Sequence, residues 1–214
     1  MQKMLLIALT LTLTVGGAMA ETVQVDCVGS VEYNQFNSGT FADVNPGDAV
    51  LATFTLDSEN YIESTSYGVR SYPINMSSYE LTIGSVGPVP LVDPQPGGAT
   101  VYFVVRDADP VADGFFLAGE PEWDYLNAML DAPGSIDPYL GFHWAVGYEG
   151  DVLSSRDILD AVGTYGYDGL TSFYTAIQDA WADPMGLEYV TITISTQTVA
   201  TESSSWDNLK AIYR

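Results

Sequence analysis

Apolar and polar residues alternate one for one through several segments of the chain, a period that suits an extended strand with one side buried. In Thr22–Tyr33, Val23, Val25, Cys27, Val31 and Tyr33 share one side, while Gln24, Asp26, Ser30 and Glu32 take the other. Asp48–Asp57 sets Val50, Ala52, Phe54 and Leu56 against Thr53 and Thr55. Tyr79, Leu81 and Ile83 alternate with Glu80 and Thr82. Leu140, Phe142, Trp144 and Val146 make a further stripe, and Val190, Ile192 and Ile194 alternate with Thr191 and Thr193. Thr100–Arg106 is apolar from Val101 to Val105, as in a strand covered on both faces. Turn formers lie between these runs, at 45–48, 88–90, 93–98, 113–114 and 149–151. Two sheets packed face to face bury such one-sided strands economically. The pattern therefore predicts a mainly β fold: a two-sheet antiparallel β-sandwich with jelly-roll-like connections.

Two stretches carry helical spacing instead. Pro121–Leu130 opens with proline and acids and places Trp123, Leu126 and Leu130 on one face. Asp168–Trp181 sets Leu170, Phe173, Tyr174, Ile177 and Trp181 at intervals of three and four. The spacing predicts one or two short helical insertions packed on the sandwich.

The N-terminus reads as an export leader. Lys3 precedes the apolar run Met4–Val15, and Ala18-Met19-Ala20 completes an A-x-A cleavage pattern. The run is shorter than the roughly 20 residues a membrane-spanning helix needs, so no span is expected once the leader is removed. Cys27 lies too far from Ala20 to serve as a lipid anchor. The expected organisation is a signal peptide at 1–20, a β-sandwich domain at 21–200 and a C-terminal tail at 201–214, with the protein secreted, periplasmic or at the cell surface. The tail holds Trp206, Leu209, Ile212 and Tyr213 in an amphipathic set beside Lys210 and Arg214. It reads equally as a terminal recognition tag and as a short helix docked on the domain.

Charge excludes some partners. The formal net charge is −22, with 28 acidic residues against six basic ones. Phosphate backbones need clustered Lys and Arg, so nucleic acid is excluded, and anionic membrane surfaces are disfavoured. Such an acid load serves solubility, divalent-cation binding or life in salt. With Cys27 as the one cysteine, no internal disulfide forms, and its phase with the neighbouring valines marks it as buried. Oligomeric state is not encoded in any of this.

Two patterns bear on chemistry. Arg106–Gly114 places Asp107, Asp109 and Asp113 at positions 1, 3 and 7 of a loop closed by glycine, hard oxygen ligands that suit Ca²⁺. Position 5 is Val111 and position 12 is Ala118, so an EF-hand is excluded; otherwise the segment is a solvated acidic turn. Glu120, Glu122 and Asp124 surround Trp123, with Tyr125 next. Acids beside aromatic rings suit a sugar-binding surface or a glycosidase cleft. Trp123, Tyr125, Glu122 and Trp144 are thus the candidate ligand-binding residues, with carbohydrate or another cell-surface molecule as partner. A nucleophilic triad has little support. His143 is the one histidine, it is out of phase with its apolar stripe, and no serine sits in a G-x-S-x-G turn.

The order of features resembles a group of secreted bacterial β-sandwich proteins that often carry PEP-CTERM sorting signals. Gly47-Asp48-Ala49-Val50 with Ala52–Asp57 is similar to their "GD-x-V-x-G-x-F-x-Y-D" strand, and Tyr79–Gly84 to the next core strand. Asp107 with Asp113-Gly114-Phe115, then 152–159, 169–173 and Tyr189–Ser195, resemble their acidic loop and closing segments. The sorting signal itself, Pro-Glu-Pro before an apolar span and a basic end, is absent from this sequence. The resemblance implies a β-sandwich and an extracellular address, with no reaction attached. The reading that follows is an exported non-enzymatic protein acting in binding, adhesion or surface structure. The alternative is a secreted carbohydrate-active hydrolase using paired carboxylates.

Overall fold

In a computed structural model, residues 20–64, 67–108, 112–119, 128–134, 137–180 and 182–197 are described. They form thirteen strands in one antiparallel sheet that curls into a half-barrel. The leader at 1–19 and the tail from 198 onward lie outside the described residues.

Two long strands make the centre. β1 (Thr22–Asn34) lies between β2 (Ala49–Asp57) and β13 (Ala182–Thr196). Val23, Val25, Cys27 and Val31 point inward from β1, and Val50, Ala52, Phe54 and Leu56 from β2, as the alternation predicts. β5 (Glu80–Ile83) and β6 (Val86–Val89) continue the sheet beyond β2. On the other side of β13 the order is β12 (Leu170–Asp179), β10 (Leu140–Tyr148), β8 (Asp113–Ala118), β7 (Tyr102–Asp107), β4 (Val69–Pro73) and β3 (Ile62–Ser64). β9 (Ala128–Leu130) pairs with β10, and β11 (Gly163–Tyr165) with β13.

Curling turns the inner faces of distant strands toward each other. Phe54 on β2 meets Phe103 on β7, ring centroids 5.6 Å apart, and Phe103 stacks on Phe115 of β8 at 5.7 Å. Tyr79 packs near Phe142 of β10. Single bridges, Leu56 to Ile74 and Leu91 to Leu130, tie the far limbs. β7 is buried on both faces, with Phe103 and Val105 in the main core and Tyr102 and Val104 in a second cluster with Val69, Phe116 and Ala118.

The expectations for the turn at 113–114 and for both helices change. Asp113 and Gly114 open strand β8 rather than turning. The helix expected over 168–181 is strand β12 from Leu170 to Asp179, laddered to β10. Thr171, Phe173, Tyr174, Thr175 and Ile177 are β-branched or aromatic, and their strand preference with a partner on β10 overrides the helical spacing. Of the helix expected over 121–130, residues 128–130 are strand β9 and 120–127 lie outside the described residues. Val190 and Tyr33, expected inward, are exposed. Register slips between β1 and β13 at Val28/Gly29 and Val31/Tyr33 account for both, since a bulge shifts the side-chain phase. Gly29 is required at the first slip, because a Cβ there would stand 2.4 Å from the Glu188 carbonyl oxygen.

A corner of charge holds β3 and β4 to the turn at 155–160. Arg70 binds Glu63 at 3.3 Å and Asp157 at 3.1 Å, and Arg156 binds Glu63 at 3.0 Å. The Tyr72 hydroxyl donates to the Arg156 carbonyl and accepts from the Ile158 amide.

Candidate functional site

β12 and β13 leave their shared hairpin as partners and then part. They pair at Asp179↔Ala182, Ile177↔Met185 and Ala176↔Gly186. Beyond that β12 stays with β10, from Thr175↔Trp144 to Leu170↔Tyr148, while β13 stays with β1. β11 takes up β13 again at Ile192 and Ile194. Between Leu187 and Thr191, β13 has no strand partner on that side among the described residues.

A small cavity lies under this opening, lined by Thr175, Leu187, Tyr189, Trp144, Phe142 and Cys27 among others. Its volume is about 10 Å³, close to what one water molecule needs. Thr175 is buried, and its Oγ1 has no hydrogen-bond partner there. Burial, with the Asp26 carboxylate alongside, pushes the Cys27 thiol well above its ordinary value, so it stays protonated and unreactive. The Tyr189 hydroxyl lies 2.7 Å from that of Tyr148 and donates to the Tyr165 carbonyl. Burial first, then the Tyr148 hydroxyl, raises Tyr189; burial also raises Tyr148.

The rim is aromatic. Phe173, on the β12 side, is 43% exposed although it shares a strand face with buried Thr175 and Ile177. Tyr167, 52% exposed, leans on the β13 side, donating to the Tyr189 carbonyl and reaching Glu188 Oε1 at 3.4 Å. Its ring stands 6.0 Å from that of Tyr189. On the outer face Tyr174 meets the His143 ring at 4.5 Å. Glu188 is the one carboxylate among the described residues lining the cavity. Rings and acceptors of this kind can hold a ligand; a pair of carboxylates at working separation is not among them.

Of the residues expected from sequence, Trp144 forms part of the cavity wall. Trp123, Tyr125, Glu122 and Asp109 lie outside the described residues. Asp107 and Asp113 are register partners across β7 and β8. Asp113 is not a solvated turn residue: it is fully buried, and its Oδ2 accepts from the Val152 and Leu153 amides at 2.8 and 2.7 Å. It pins the loop after β10, leaving Oδ1 buried without a donor. No cluster of three or more acidic, histidine or cysteine ligands occurs among the described residues, and no described helix is long and apolar enough to cross a membrane.

Thr175 and Phe173 lie in the segment that carries helical spacing, and Tyr167 and Tyr189, outside it, stand in no pattern that marks a site. The run Thr171–Thr175, dense in β-branched and aromatic residues, was the available signal. No family model, curated protein or solved structure matches the chain.

Proposed function

We propose that the chain is an exported, non-enzymatic surface component that works by binding, with carbohydrate as its ligand. The aromatic rim where β12 and β13 part carries this reading. Large rings normally bury themselves. Tyr167 and Phe173 instead stand about half exposed on strand and turn positions that are already ordered, with Glu188 as a nearby acceptor. An exposed ring beside acceptors offers a sugar an apolar face and partners for its hydroxyls. Glycoside hydrolysis asks for two carboxylates roughly 5–9.5 Å apart, whereas among the described residues the cavity wall presents one, Glu188, which supports binding over turnover. The leader pattern at 1–20 supports the exported address. The Phe54–Phe103 contact between distant strands supports reading the curled sheet as a jelly-roll-like sandwich.

Retention on cellulose, chitin and xylan, with reducing ends assayed in parallel, tests the proposal. The chain should be retained on at least one polymer without releasing sugar, and joint Tyr167→Ala and Phe173→Ala replacement should weaken retention by about tenfold or more. Released sugar, or a double variant that binds as the parent does, overturns it.

Ca²⁺ at the Asp107–Asp113 end of the sheet is the accompanying proposal. Two carboxylates directly opposite on one face repel unless a cation or proton sits near them. Micromolar to millimolar Ca²⁺ should raise the melting temperature by a few degrees, reversed by chelator and lost in Asp107→Asn. A flat titration removes this part alone.

A further inference from the structure

Arg106 differs from the other described arginines. Arg70 and Arg156 each hold carboxylates, whereas Arg106 has no ion pair among the described residues of a chain with net charge −22. The register runs from Arg106 on β7 to Gly114 on β8, Gly147 on β10 and Ser172 on β12. One row thus has a cation at one end, a hydroxyl at the other and two residues without side chains between them.

The distances show what the glycine leaves open. A Cβ on Gly147 would stand 3.4 Å from Arg106 Nη2 and 2.8 Å from Ser172 Oγ. Both donors therefore converge on a notch over the Gly147 backbone, in space that any side chain at 147 would contest. Arg106 Nε is buried without an acceptor, as Arg70 Nε is, so what distinguishes Arg106 is that its Nη groups hold no carboxylate among the described residues. The guanidinium Cζ lies 5.8 Å from the Phe116 ring centroid, within cation–π range, which holds it against the sheet. Ser172 is exposed at the mouth of the notch.

We propose that this notch is an oxyanion subsite, in which a carboxylate or phosphate oxygen accepts from Arg106 Nη2 and Ser172 Oγ above Gly147. A guanidinium suits both oxyanions, and the glycine permits close approach to the backbone. The net charge of the chain repels anions at long range, so affinity comes from these local donors and not from the overall field. The subsite stands apart from the carbohydrate reading, which rests on Tyr167 and Phe173.

Titrating the full chain with inorganic phosphate, and separately with sodium acetate, distinguishes the two sources by heat and by amide chemical shifts. At least one should show saturable binding, with the largest shifts at Gly147 and Ser172. Arg106→Gln should weaken it by about tenfold or more, and Ser172→Ala by about threefold to tenfold. Gly147→Ala fills the notch and should abolish binding while keeping the charge. Its melting curve shows whether it folds; if it does not, the other two variants decide. The subsite is overturned if neither anion saturates, or if binding survives Arg106→Gln and Ser172→Ala unchanged.

Discussion

The two sides of β13 make different use of the same strand. Toward β1 it is laddered from Met185 to Thr196, interrupted only by two register slips. Toward β12 it is paired beside the hairpin and again, through β11, near its end, with the stretch from Leu187 to Thr191 left open. On the closed side the residues that β1 turns inward are small or aliphatic: Val23, Val25, Cys27 and Val31. On the open side the rings of Phe173 and Tyr167 look into solvent, and Thr175 carries a hydroxyl into the interior without a partner. Burial and continuous pairing characterise one side, while the other holds two half-exposed rings and a buried hydroxyl without a partner.

Truncating one buried ring and one ring at the opening should give the largest difference. Phe54 is fully buried against Phe103 and Tyr79, so Phe54→Ala should destabilise the protein by about 3–5 kcal/mol in urea unfolding. Phe173→Ala should cost under about 1 kcal/mol, since the ring is already 43% exposed. Equal losses would mean that the opening is as structural as the core and would remove the ground for a binding rim.

Alkali should act next, through groups beneath both sides. Cys27, Tyr79, Tyr148 and Tyr189 all titrate above their ordinary values because burial disfavours the anion. A raised folded value means that the neutral form is favoured in the fold. The stabilisation is complete below the unfolded value, about 8.5 for cysteine and 10 for tyrosine, and is lost as pH rises past it. Unfolding free energy should be level up to about pH 8 and then fall by up to about 1.4 kcal/mol per pH unit for each such group. Cys27→Ser should delay the onset toward the tyrosine range. A profile level to pH 11 would show that these hydroxyls and the thiol are not held protonated.

How much of this was legible follows from the same two sides. Each segment read from alternation contains a strand, β1, β2, β5, β10 and β13, and the continuously apolar run contains β7. Their burial is set by local pattern, as Val50 to Leu56 illustrate. Val190 was misplaced because a bulge is a property of two strands, and one strand's sequence does not display it. Strand β12 was hidden for a related reason. Its exposed half, Leu170–Tyr174, lacks the one-sided burial that produces alternation, so helical spacing filled the gap. Trp144 could be chosen as a candidate from its type, but its neighbours Thr175 and Tyr189 arrive from strands remote in sequence. The notch at Gly147 was beyond the sequence reading too, since it depends on four strands sharing one register.

The smallest effect expected is the most specific to the opening. Thr175→Val replaces a hydroxyl with a methyl of nearly the same shape in a cavity of about 10 Å³. An unpartnered buried hydroxyl costs about 1–3 kcal/mol, so its removal should stabilise the protein by about 1 kcal/mol in the same urea assay. Val would be placed against Trp144 and Leu187, an apolar setting that suits it. If Thr175→Val destabilises instead, the hydroxyl has a partner in solution, and a water bridging it to the strand edge is the simplest one at that volume. The sign of this single substitution therefore distinguishes a dry gap between two strands from a wet one, and only a wet one extends the polar rim inward toward Trp144.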